Sequence, residues 1–194
     1  MTAGEILVLA SASPRRQDLL RQIGCEFRVV VSDAEEIAEG GLSPERVAAE
    51  NARRKAGEVA VREGADAPVL GADTVVAVGE TILGKPRDKE DAARMLRLLS
   101  GRRHFVYTGI AIAYRGQVYE DVVRTAVWMD ELSEEEIAAY IETGEPMDKA
   151  GAYAVQGRAA RFIPKIEGSF SNVVGLPLHA VMKLAGKAGI RQWQ

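Results

Sequence analysis

Cysteine occurs once in this chain of 194 residues, at Cys25, and histidine only twice, at His104 and His179. One thiol excludes an intramolecular disulfide and any cysteine-based zinc site, and it suits a reducing compartment. The two histidines have no partner at metal-ligand spacing, and neither a Ser-His-Asp order nor a GxSxG elbow accompanies them. Both therefore read as structural residues, and Cys25 as a small core residue after a helix. No apolar run approaches the ~18 residues of a membrane span. The early ILVLASA imitates a secretory signal, but Glu5 stands where a basic region belongs and the arginines follow the apolar run, so a cytoplasmic chain is expected. Positive charge is also in short supply: the formal net charge is −3 and the pI about 5.6. That argues against a surface built for nucleic acid, so an anionic ligand has to be met by a local cluster of Lys and Arg.

What remains is ordinary for a folded domain. Hydrophobic residues make up 47% and charged residues 27% of the chain, enough for one sizeable core or a core split into two lobes around a cleft. Repeats, low-complexity segments and linkers are absent, which predicts a single domain over residues 1–194. Hydrophobic patterning predicts strands over 5–10, 27–32 and 69–78, the last with ETIL as hairpin partner after Gly79. HFVYTGIAIAYRGQVYEDVVRTAVWM reads as two long strands joined at Arg115-Gly116. Helices are predicted from Pro14 to Ile23, 44–63, 88–99, from a capping box at Ser133 to about 143, and over LPLHAVMKLAG. Crossover helices mixed with hairpins give an α/β fold with a mixed, partly antiparallel sheet and flanking helices.

Two helix starts pose the chemical question. LSPERVAA opens with Ser43 as cap, Pro44 first and Glu45 next, the sign a helix N-terminus favours. SASPRR opens with the same Ser-Pro pair, Ser13 as cap and Pro14 first, but puts Arg15 and Arg16 into the first turn. Two guanidinium groups beside unpaired backbone N–H groups are unfavourable unless an anion arrives, and phosphate satisfies both features. The competing reading is a solvated helix start whose arginines reach away to carboxylates.

Asp73 lies within VLGADTVVAV, a run apolar on both faces and so suited to a central strand. A carboxylate there needs a partner, a metal or a cleft, unless a bulge at Gly71 turns it outward; catalytic base or metal ligand is the favoured reading. Lys55 shares a helix face with Ala48, Ala52 and Val59, so it either reaches through to a cleft or snorkels at the edge. GETILGKP matches P-loop spacing at Gly79, Gly84 and Lys85, yet Pro86 stands where Ser or Thr must hold Mg²⁺. Lys85 can still contact phosphate from a hairpin end. Glu35-Glu36, Asp148-Lys149 and Gln156 carry little signal singly.

Taken in order, LASASPRR, the Glu pair, GADTVV, GKPRD, LSGRRHFVYTGIAI, EPMDKAGAYAVQG and VVGLPL resemble the Maf-like nucleotide pyrophosphatases over nearly the whole chain. The resemblance implies two lobes around a cleft, similar to the inosine triphosphate pyrophosphatases. It implies hydrolysis of a nucleoside triphosphate to monophosphate and pyrophosphate with a divalent cation such as Mg²⁺ or Mn²⁺. Asp73 would accept the proton of water, and Glu36 with Asp73 would hold the metal. Ser13, Arg15, Arg16, Lys55 and Lys85 would bind substrate. Arg15, Thr74 and Gln156 match the Arg, Thr and Gln of a branch acting on dTTP and UTP, where the 7-methyl-GTP branch has Trp, Gln and Glu. The implied partner is the nucleotide, as a housekeeping substrate, with no nucleic acid and no membrane, and a homodimer is compatible with it. The alternative is a non-catalytic nucleotide-binding regulator of septum formation in cell division.

Overall fold

The computed structural model describes residues 6–37 and 41–190. Glu5, part of the strand expected over 5–10, lies outside them. Seven strands form one sheet: β1 (Leu7–Leu9), β2 (Phe27–Val29), β3 (Val69–Val78), β4 (Thr81–Leu83), β5 (Arg103–Tyr114), β6 (Gln117–Trp128) and β7 (Lys165–Glu167). Their order is β2-β1-β3-β5-β6-β7, with β4 folded back on β3. β1 pairs in parallel with β2 and β3, and the other pairings are antiparallel. The helices are α1 (Pro14–Gln22), α2 (Pro44–Glu63), α3 (Lys89–Leu99), α4 (Glu134–Glu142), α5 (Phe170–Val174) and α6 (Leu178–Lys187). The mixed α/β architecture expected from the patterning is present.

Local chemistry explains most boundaries. Ser43 caps α2 by accepting from the Arg46 N–H, and Ser133 with Glu136 forms the reciprocal capping box of α4. β5 and β6 join through Arg115 and Gly116, both at positive φ (49° and 75°), as a two-residue hairpin turn requires. The second strand is shorter than the expected 27–32. β1 ends at Leu9, so after Val30 donates to the Leu9 carbonyl at 3.1 Å the chain has no neighbour left to pair with.

Of the four apolar clusters among the described residues, two are the largest. One gathers Leu7, Leu9, Leu20, Leu70, Ile110, Ile112, Leu176 and Val181 around α1 and α6. The other gathers Leu83, Leu96, Leu99, Val106, Ile137 and Tyr140 around α3 and α4. β3 and β5 run through both, and α2 lies across their middle. Gly71 and Gly109 fix how closely it lies. A Cβ on Gly71 would fall 2.3 Å from the Ala52 carbonyl oxygen, and one on Gly109 would fall 2.2 Å from that of Ala48. Only glycine admits a helix backbone this near a strand. Gly109 is also the residue paired with Asp73 across β3 and β5, so the helix descends beside the one acidic position of the central strand.

Candidate active site

A cleft of about 900 Å³ is lined by the start of α1, the middle of α2, β3 and the segment after β4. Ser13, Arg15, Arg16, Glu36, Lys55, Asp73, Thr74, Lys85 and Gln156 all line it. Seven Lys and Arg against four Asp and Glu line it, a local excess of positive charge in a chain whose net charge is −3. The cationic cluster demanded by the composition is therefore concentrated in one place.

Asp73 sits inside β3 at 8% exposure, without the bulge at Gly71 that would have turned it outward. Its Oδ1 accepts from Lys55 Nζ at 2.8 Å and its Oδ2 from Asn51 Nδ2 at 3.0 Å. Lys55 therefore reaches through to the cleft, as one of its two readings had it. Its ammonium also lies 2.6 Å from Glu36 Oε1, so one nitrogen joins two carboxylates from different segments. Burial pushes the Glu36 carboxyl up, but Lys55, then Lys85 and Arg16, hold it below its ordinary value.

The start of α1 departs from expectation in one respect. Ser13 occupies the cap position, but its side chain makes no capping bond, and its own N–H is taken by Ser11 Oγ at 3.3 Å. Ser11 is occupied with Arg16 as well, accepting from Nη1 at 3.0 Å. Arg16 is 9% exposed; its Nε donates to the Gly175 carbonyl at 2.9 Å and its Nη2 to Thr74 Oγ1 at 3.2 Å. All three partners are neutral. Burial lowers the Arg16 pKa, with Asp73 pulling the other way, yet guanidinium keeps its proton at any working pH. The result is a buried cation, at an uncapped helix start, held by oxygen dipoles rather than by a carboxylate. Arg15 is different: it pairs with Asp148 at 3.1 Å across the mouth of the cleft. Burial raises the Asp148 carboxyl, while Lys149 and Arg15 bring it below its ordinary value.

Thr74 is tied to Arg16 rather than free in the cleft. Its hydroxyl meets Thr108 Oγ1 at 2.8 Å, and Thr108 donates to the Asn172 carbonyl at 3.2 Å. Lys85 and Gln156 are exposed in the cleft lining, Lys85 just past β4 and Gln156 in a turn after Tyr153.

Asn51, Ser11, Thr108 and the Gly175 carbonyl escape sequence reading, because small polar residues and backbone oxygens carry no motif. Asn51 alone had a signal: it precedes Lys55 by one helical turn, so both project from the same face of α2. At 3% exposure, its Oδ1 accepts from the Ile37 N–H at 2.7 Å and its Nδ2 donates to the Ile37 carbonyl at 3.0 Å. An N–H can only donate, so the amide orientation is fixed and its nitrogen must face Asp73. His104 is fully buried beside Tyr153, with Nε2 and the phenol oxygen 2.7 Å apart, and His179 is exposed on α6. Neither enters the cleft chemistry.

The family model described as Maf-like protein matches residues 6–188. The dTTP/UTP pyrophosphatase of Pelotomaculum thermopropionicum is 50% identical over 186 residues, covering 94% of this chain and 96% of the relative. That of Thermococcus kodakarensis is 51% identical over 179 residues, covering 92% and 95% respectively. That of Vibrio cholerae is 48% identical over 181 residues, covering 93% and 97%. Among solved structures, a nucleoside-triphosphatase / dITP/XTP pyrophosphatase from Mycobacterium abscessus is 18% identical and covers 63% of this chain and 73% of its own at a TM-score of 0.41, too partial an overlap to bear on the site. Identity of this extent over nearly the full length is decisive: the chain belongs to the Maf-like protein family.

Proposed function

We propose that this protein hydrolyses dTTP and UTP to the monophosphate and pyrophosphate. One observation carries the chemistry: Arg16, buried and with no carboxylate partner among the described residues, lies at a helix start without a side-chain cap, in the cleft that also holds Asp73. A polyphosphate supplies the missing anion. The names carried by the 48–51% identical relatives support the choice of base.

Asp73 is the group to take a proton from water. Lys55 and Asn51 each occupy one lone-pair direction of its carboxylate, which fixes the plane and leaves the remaining directions for the nucleophile. Water attacks phosphorus at the α–β bridge, the bridging P–O bond breaks, and its electrons leave with pyrophosphate. Arg16, Lys55 and Lys85 offset the charge that builds on the phosphate oxygens. Arg15 and Gln156, both lining the cleft, are the groups this reading assigns to the nucleoside, Gln156 offering an amide donor and a carbonyl acceptor to a pyrimidine edge.

Glu36 and Asp73 fit a hard divalent cation. Both are carboxylates within reach of one ammonium, and among the described residues no cluster of three His, Cys, Asp or Glu forms a complete cage. Such a pair suits Mg²⁺, which binds through one or two carboxylates and completes its shell with phosphate and water. When bound, the cation supplies charge neutralisation at the phosphates. A panel of NTPs and dNTPs with Mg²⁺ or Mn²⁺ tests the assignment: UMP or dTMP with pyrophosphate is expected. Orthophosphate with a nucleoside diphosphate, or inertness toward UTP and dTTP, refutes it.

A further inference from the structure

The turn that carries Gln156 is held at both ends by two residues outside the cleft lining. The Gly157 N–H closes on the Ala154 carbonyl at 3.0 Å, which makes Val155 and Gln156 the central pair of a tight turn. Before the turn, the Ala154 N–H donates to Tyr140 Oη at 3.1 Å. After it, the Arg158 N–H donates to both carboxylate oxygens of Glu145, at 3.0 and 3.1 Å. Tyr140 in turn donates its phenol proton to Glu145 Oε1 at 2.7 Å. The bonds form a closed circuit from Ala154 through Tyr140 and Glu145 to Arg158, with Gln156 inside it.

Each member of the circuit is itself fixed. Tyr140 is 1% exposed, and its ring meets that of Phe162 edge to face at 5.9 Å. Burial, reinforced by the Glu145 charge, raises the Tyr140 pKa, so the phenol stays a donor to the carboxylate. The backbone is matched to the pair: a Cβ on Gly157 would fall 2.4 Å from Glu145 Oε2. A carboxylate that accepts both a phenol proton and a backbone amide fixes the chain on either side of Gln156, an exposed residue in an otherwise largely buried segment.

We infer that the Tyr140–Glu145 pair positions Gln156 for the pyrimidine edge of the nucleotide, and so sets base discrimination without touching the substrate. The inference rests on the reading of Gln156 as the base contact proposed above. A glutamine amide distinguishes donors from acceptors only if its backbone anchor is held, since rotation of the turn would present the wrong face. Tyr140 and Glu145 are positioning residues, and their effect is confined to ligands that carry a base.

Calorimetric titration with UMP and with pyrophosphate separates the base from the phosphate, and turnover of UTP against CTP gives discrimination directly. Tyr140→Phe and Glu145→Ala are expected to weaken UMP binding about three- to tenfold and to narrow the UTP preference, with pyrophosphate affinity changed by less than about twofold. Glu145→Gln retains an acceptor and is expected to recover most of the loss. Should Tyr140→Phe fail to fold, Glu145→Ala against Glu145→Gln still decides the point. Equal weakening of UMP and pyrophosphate, or no weakening of either, overturns the positioning role. Gln156→Ala is the control on the underlying reading. If it lowers UMP affinity while the pair variants do not, only the positioning role falls; if it changes neither UMP affinity nor UTP preference, the base contact falls and the positioning role with it.

Discussion

Lys55 Nζ stands 2.8 Å from Asp73 Oδ1, two side chains that the fold brings from the middle of α2 and the middle of β3, and each is about one-tenth exposed. A pair so enclosed depends on both members, because a charge left alone there has little solvent to replace its partner. Lys55→Ala is expected to destabilise the fold by about 3 kcal/mol in chemical denaturation. Asp73→Asn should lower stability far less, since Lys55 keeps Glu36 at 2.6 Å, while turnover falls about 10²–10⁴-fold. Equal stability losses for the two variants would show that Glu36 does not compensate.

The two arginines of SASPRR are expected to separate in function. Arg16→Ala removes the buried cation and should depress turnover of every nucleotide about 10²–10³-fold. Arg15→Ala breaks only a partly exposed pair with Asp148, worth below about 1 kcal/mol, and should shift which nucleotide is preferred. Kinetics across the nucleotide panel decide this, and a uniform loss for both variants contradicts the division.

Gly109→Ala tests the close approach of α2. The new methyl meets the Ala48 carbonyl oxygen, so the helix must lift and carry Asn51 and Lys55 away from Asp73. A loss of about 1–3 kcal/mol is expected, together with reduced kcat. An unchanged denaturation midpoint would mean that the helix tolerates the methyl in place.

His104 predicts an acid limb of stability. Burial lowers its pKa to about 4, against an ordinary value of 6.5, so between those values the unfolded chain binds more protons than the folded one. Stability therefore rises with pH through that window and falls as pH drops from 6.5 toward 4, by about 3 kcal/mol in all. Denaturation of His104→Gln over the same range should show a shallower slope, and parallel curves for the two proteins would exclude the histidine as its source.

Most of the elements and the charged residues that line the cleft were legible in the sequence, but β7 and α5 were not, because the stretch before α6 reads as loop. β3 over Val69–Val78, α2 over Pro44–Glu63 and the Ser133 capping box follow from periodicity and caps, which are properties of neighbouring residues. The excess charge of SASPRR and the carboxylate inside an apolar strand were legible for the same reason: each conflicts with its immediate surroundings. What depends on distant backbone was not legible. That Ser13 makes no side-chain capping bond, that Ser11 holds Arg16, and that the Thr74 hydroxyl meets both Arg16 and Thr108 could be seen only in the folded chain. Asn51, Tyr140 and Glu145 acquire their roles only when helix, loop and strand meet, because a hydrogen bond is set by position in space and the residue type says nothing about its partner. Local chemistry named the charges, and tertiary packing decided their partners: carboxylates for Lys55 and Arg15, and neutral oxygens for Arg16.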